Sequence, residues 1–266
     1  MRLFRKLIKF TEAEIEGKFA ENEVKAYKKS IKDASEPVDK FVNRTGRKIF
    51  DLTLIYPLRD DRLAQQLLPL QDTIGDILGD NARQQGHFYP KANDLHMTLL
   101  HCAERSSLLS AEHRQAHRDK FLEFFFDRER LFVRPRIHFC GGSAGKDAVI
   151  IHGYNFTELN NSRLALARYG IQHKLFDKKL NSEYSQKIFY TDLAFPDIAH
   201  LSLLRLGRVI TTEERLQINE LLAGLDFGET VFSELGLYEM SEYGVFSSGR
   251  HWANLVFGSD PHNEGI

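Results

Sequence analysis

Leu95-His96-Met97-Thr98-Leu99 and Ala199-His200-Leu201-Ser202-Leu203 share one pattern, apolar, His, apolar, hydroxyl, apolar, and stand about a hundred residues apart. In an extended chain successive side chains point to opposite faces. Each phrase therefore sets an imidazole beside a hydroxyl on one face and turns its apolar residues to the other. Working outward, Ile49–Tyr56 (IFDLTLIY) reads as a strand that stops at Pro57. Leu63, Leu67, Leu70, Ile74 and Leu78 then recur at helical spacing, with Pro69 expected to kink the helix and Gly79 near its end. A polar loop with Gly86 and Phe88-Tyr89-Pro90 precedes the first His strand, and Ser110–Arg130, apolar at Phe121, Leu122, Phe124 and Phe125, predicts a second helix.

Leu131–Cys140 and Asp147–Gly153 read as strands of a hairpin whose loop is Gly141–Lys146. That loop is no Walker motif, because three residues rather than four separate Gly141 from Gly145-Lys146 and Asp147 follows. Thr157–Tyr169 predicts a helix capped by Gly170, and the second His strand follows a polar stretch through Gln186. Thr211-Thr212-Glu213-Glu214 has the form of a capping box for a helix ending near Gly224, and Thr230–Met240 and Trp252–Phe257 read as the last two strands. The order strand, helix, His strand, helix, hairpin is thus approximately repeated. It predicts an α+β protein with mostly antiparallel sheets.

At 266 residues with 42% apolar side chains the chain can bury a sizeable core. No run of 18 apolar residues predicts a membrane-spanning helix, and the N-terminus lacks a secretory apolar core, so the expectation is a soluble, cytoplasmic protein. Two cysteines, Cys102 and Cys140, are too few for a disulfide framework or a cysteine zinc site. A net charge of -1 argues against stable binding of long nucleic acid. Residues 1–48 nevertheless carry a net +5, leaving -6 for the rest. Met1–Phe10 reads either as a frayed extension or as a short amphipathic helix making weak membrane or protein contact, and Thr11–Ala34 as a solvated helix.

The two phrases together hold one base, one acid and two hydroxyl donors, an inventory suited to metal-free phosphodiester chemistry. Neutral imidazole takes a proton, imidazolium gives one, and with an ordinary pKa of about 6.5 both forms coexist near neutrality. In this double motif the chain resembles the 2H phosphoesterases, which include RNA 2',5'-ligase-like proteins and cyclic nucleotide phosphodiesterases. The opening Phe50–Leu78, Phe195-Pro196 before the second phrase and Leu235-Gly236-Leu237-Tyr238-Glu239 are also similar to that family's layout. The resemblance covers residues 49–258, with 1–48 as a basic, largely helical extension and 259–266 as a tail. It implies a bilobal duplicated fold, two mostly antiparallel sheets flanking a central groove, and helices on the outer faces.

The same resemblance implies catalytic roles for His96 and His200, and phosphate binding by Thr98 and Ser202, with no metal and no cofactor. Which His is the base stays open. Tyr238, Phe88 and Tyr89 are candidates for substrate contact, the last two also for loop packing. Strict alternation puts Arg205 on the face opposite His200 and Ser202, in a surface or interlobe ion pair. His101 and His152 read as structural or surface residues, and Cys102 as a buried thiol. The expected activity is a metal-independent phosphodiesterase acting on a 2',3'-cyclic phosphate, a 2',5'-linkage or a cyclic nucleotide, ligation being the less expected direction. The alternative is a non-catalytic or weakly catalytic RNA- or nucleotide-binding module using the same groove. The expected partner is a nucleotide or RNA-end substrate, and the expected state a monomer.

Overall fold

The computed structural model describes residues 51–79, 87–103, 111–127, 129–145, 148–154, 159, 162, 199–240, 246–247 and 249–257. The N-terminal extension, the Phe195-Pro196 approach and the tail lie outside these residues. So does the helix read at Thr157–Tyr169, except Leu159 and Ser162, both helical and buried.

Strand β1 (Asp51–Pro57) turns Leu52, Leu54 and Tyr56 into the main core. Helix α1 (Asp61–Ile77) starts where the Asp60 carboxylate accepts the Leu63 N–H at 3.1 Å. It ends before Gly79, whose φ of +64° is a left-handed stop. Pro69 lies inside this helix without ending it, on its exposed side with Gln65. Strand β2 (His96–Ala103) and helix α2 (Ala111–Asp127) follow, then β3 (Arg136–Ala144), β4 (Ala148–Tyr154) and β5 (Ala199–Arg205). Helix α3 (Thr212–Leu222) opens on the capping box: Thr211 Oγ1 accepts the Glu214 N–H and Glu214 accepts the Thr211 N–H. Strands β6 (Asp226–Val231), β7 (Glu234–Met240) and β8 (Arg250–Val256) complete the order.

These strands form two four-stranded sheets, β2-β1-β7-β8 and β5-β4-β3-β6, with every neighbouring pair antiparallel. The fold is α+β, as expected, and duplicated. Each sheet has its His strand at one edge, and β1, β2, β7 and β8 correspond to β4, β5, β3 and β6.

Three expectations need correction. Thr230–Met240 is two strands in different sheets, because Phe232 leaves the strand direction to pack in the core. The hairpin loop is shorter than Gly141–Lys146, since β3 runs on to Ala144. Gly141, at φ +61°, accommodates the register shift there, and Gly142 lies where a Cβ would come within 2.6 Å of the Ile150 carbonyl. The hairpins are also exchanged relative to chain order: β3–β4 belongs to the second His strand's sheet, and β7–β8 to the first's. Helix α1 joins β1 to β2 yet packs on β5, β6 and α3, so the lobes interlock. One apolar cluster runs through both, and within it Leu99 and Leu203 are fully buried. Truncating either to Ala is expected to cost about 2–5 kcal/mol. Among the described residues, no helix is long and apolar enough to cross a membrane.

Candidate active site

The two His strands pack against each other where the lobes meet. Leu95, just before β2, and Met97 and Leu99 on it are buried to within 1% while His96 and Thr98 between them are partly exposed. On β5, Ala199, Leu201 and Leu203 are fully buried and His200 and Ser202 are partly exposed. Hence each imidazole shares a face with its hydroxyl, as the alternation predicts. His96 and Thr98 lie opposite Pro57 and Ile55, and His200 and Ser202 lie opposite His152 and Ile150.

Beyond the hydroxyls both strands carry an extra residue. Ile55 and Leu54 pair with Thr98 and Leu100, and Ile150 and Val149 pair with Ser202 and Leu204. This bulge buries two apolar residues in succession, Leu99-Leu100 and Leu203-Leu204, and shifts the alternation by one. Arg205 is therefore returned to the face of His200 and Ser202, contrary to the strict alternation expected, and its positive charge bears on His96. Register position 101 on β2 matches position 205; the side chains of His101 and Cys102 lie outside the described residues. The bulge is braced from outside: buried Gln71 of α1 donates to the carbonyls of Leu203 (2.9 Å) and Pro90 (2.8 Å). Arg205 and Phe88 exchange two backbone hydrogen bonds of 2.9 Å. Sequence reasoning missed Gln71, although a Gln among Leu67, Leu70 and Ile74 on an apolar stripe was a signal.

The surroundings of the two histidines differ. His96 Nδ1 is 2.7 Å from the Asp94 carbonyl, which can only accept, so that nitrogen carries the proton and Nε2 presents a lone pair. Burial pushes the His96 pKa down to about 4; the Asp94 carbonyl opposes this, Arg205 lowers it further, and the Asp94 carboxylate raises it. Asp94 is itself buried and accepts the Ser247 N–H at 2.9 Å, tying the segment before β8 to the start of β2. Phe246 presents its ring edge-on to His96, with centroids 5.3 Å apart, and packs with Ile55, Tyr238 and Met240.

His200 instead has a histidine beside it. His152 is directly opposite on β4, 7% exposed, with Nε2 3.0 Å from the hydroxyl of Ser143, itself 1% exposed. Burial pushes the His152 pKa down to about 4. Farther across the same sheet His138 pairs with Asp226 at 3.0 Å, and Tyr154, opposite His138, is exposed.

The remaining sequence candidates divide. Tyr238 lies against the cluster beside His96, stacked on His251 at 4.5 Å and edge-on to Phe246 at 5.1 Å. Burial raises its hydroxyl pKa, with Glu234 adding to the rise and Arg59 opposing it. Phe88 is held through its backbone to Arg205. Tyr89 is 8% exposed and packs in the main core. Among the described residues, no group of three or more His, Cys, Asp or Glu side chains is arranged to hold a metal ion.

No protein-family model matches the chain, and no curated protein matches it. Among solved structures the fold is similar to TT0787 of Thermus thermophilus, at 14% identity over 78% of this chain and 97% of that one, with a TM-score of 0.46. It is also similar to Escherichia coli LigT in its apo form, at 14% identity over 80% of this chain and 99% of that one, TM-score 0.41. A third similar structure is a phosphoesterase, at 15% identity over 79% and 99% of the two chains, TM-score 0.38.

Proposed function

We propose that the face shared by β2 and β5 is the active site of a phosphodiesterase acting on a nucleotide or RNA-terminal phosphodiester: a 2',3'-cyclic phosphate, a 2',5'-linkage or a cyclic nucleotide. The observation that carries this reading is the pairing of two His-hydroxyl strands at matching edges of equivalent sheets, packed together, with Arg205 brought to the same face. In it His96 and His200 are the acid/base pair, Thr98 and Ser202 donate to the non-bridging oxygens, and Arg205 offsets charge that builds on phosphorus in the transition state. The pinned Nδ1–H and burial of His96 favour it as the base in hydrolysis of a cyclic phosphate. Its Nε2 takes the proton of the attacking water while imidazolium at His200 protonates the departing ribose oxygen. In the preceding transesterification these roles exchange. Acid, base, donors and counter-charge all come from the chain, so the proposed chemistry runs without a metal ion.

The test is a panel of 2',3'-cyclic phosphates, cyclic nucleotides, and 2',5'- and 3',5'-linked oligonucleotides, assayed with and without EDTA on the wild type, His96→Ala and His200→Ala. Turnover that survives chelation and collapses in both variants is expected; turnover abolished by EDTA, or indifferent to both substitutions, overturns the mechanism. Binding of the same ligands without turnover selects the binding-module reading. Residues 1–48 are proposed as an addition to this body, so a chain lacking residues 1–40 should keep its kcat.

A further inference from the structure

In the first lobe, the position opposite His96 on β1 is Pro57, and Gly236 of β7 lies beside Ile55. In the second lobe the corresponding positions, opposite His200 on β4 and beside Ile150 on β3, are His152 and Ser143. The duplication is an internal control. The same sheet is built with proline and glycine at these two points, so the architecture does not demand a histidine and a serine there. A buried polar pair costs free energy that its mutual hydrogen bond offsets, and here it lies one interstrand spacing, about 4.5–5.5 Å between Cβ atoms, from a candidate acid.

We propose that His152, braced by Ser143, is a positioning residue for His200: a polar ring set opposite it on β4 that fixes the orientation of the His200 ring and favours its protonated form. The proposal rests on the phosphodiesterase reading for its kinetic consequences but not for its structural ones. Burial keeps His152 uncharged across the neutral range, so it does not repel a proton on His200, and a polar neighbour stabilises imidazolium better than an apolar wall. Among the described residues, the other titratable and charged groups on this face are Tyr154 two residues along β4, His96 from β2 and Arg205 farther along β5. Cys140 and the His138–Asp226 pair lie across β3 and β6. Arg205 lies farther along β5 on the face of His200, and its charge bears on His96.

The experiment is an NMR titration of the His200 ring in the full chain, run beside the pH–rate profile, for His152→Phe, His152→Gln and Ser143→Ala. His152→Phe is expected to lower the His200 pKa by about half a unit or more, and His152→Gln to restore most of it. Ser143→Ala is expected to fall between them. With a cleaved substrate, kcat should fall about tenfold in His152→Phe with KM nearly constant, and the basic limb should move to lower pH. A merely structural role would lower the folded fraction without moving either titration. An unmoved His200 titration in folded His152→Phe overturns the proposal. Should that variant not fold, an unmoved titration in Ser143→Ala does the same, and a downward shift in Ser143→Ala supports it. If no substrate is turned over, the phosphodiesterase reading fails while the titration still decides this one.

Discussion

The two lobes place the same His-x-hydroxyl phrase, followed by the same bulge, at the same edge of the same four-stranded sheet, and then surround it differently. Beside His96 the floor is apolar, made by Ile55, Tyr238, Met240 and Phe246. Beside His200 it is polar, made by His152 and Ser143, with the His138–Asp226 pair farther across the sheet. A pseudosymmetric pair of histidines can thus divide acid and base work between them, because the pKa of an imidazole follows what lies around the ring rather than the strand that carries it. The comparison breaks if the lobes prove interchangeable, and sharpens if their substitutions separate.

The largest expected effect is loss of either imidazole. His96→Ala and His200→Ala are each expected to lower kcat by about 10²–10⁴, and the double variant by little more than the worse single one, since both act in one transition state. The asymmetry itself appears in the pH profile. Activity should hold well below pH 6.5 on the acid side, because the His96 pKa is about 4, and fall on the basic side as His200 loses its proton. A profile centred on two ordinary imidazoles would mean that burial does not distinguish the lobes.

Stability should carry the same signature, one histidine from each lobe. His96 and His152 both have folded-state pKa values near 4 against 6.5 in the open chain. The unfolded chain therefore binds protons first, and the stability these groups confer is complete above pH 6.5 and is lost as pH falls toward 4. Roughly 3 kcal/mol from each group is at stake over that window. Urea unfolding at pH 7 and pH 4.5 is expected to differ accordingly, and His152→Gln should remove about half of the difference.

The alternating phrases His96-x-Thr98 and His200-x-Ser202 were legible because a strand has a period of two and the fully buried residues between them fix which face is which. Arg205 was not, because counting from His200 assumes no bulge. The signal was the doubled apolar residue: Leu99-Leu100 and Leu203-Leu204 break alternation at matching places, as an extra residue with its side chain in the core must. His152 and Ser143 meet across β3 and β4, and their distance is set by interstrand register, which one strand's pattern does not carry. Thr230–Met240 read as one strand for a related reason, since nothing local tells that the chain passes from one sheet to the other at Phe232. The capping box at Thr211 and the helical stripe of α1 depend on neighbours in sequence, and both came through.

A middling effect is expected at Arg205. Arg205→Met should cut kcat/KM by about 10- to 100-fold and, by removing a charge that depresses the His96 pKa, move the acid limb to higher pH. If the limb stays while the rate falls, Arg205 contacts substrate without bearing on His96, and the electrostatic link between the lobes is lost.

The smallest separation is expected between the hydroxyls. Thr98 and Ser202 lie opposite Ile55 and Ile150, so their cross-strand neighbours match, and the difference lies one strand farther on, where Gly236 under the Tyr238 ring corresponds to Ser143. Thr98→Ala and Ser202→Ala should each cost about tenfold in kcat, the loss of one hydrogen bond made to the transition state. Thr98→Ser should be nearly silent, because it keeps the donor at the same atom. A loss in Ser202→Ala a further tenfold beyond Thr98→Ala would mean that the polar floor reaches the phosphate through Ser202, and that the lobes differ in how they bind it as well as in how they protonate it.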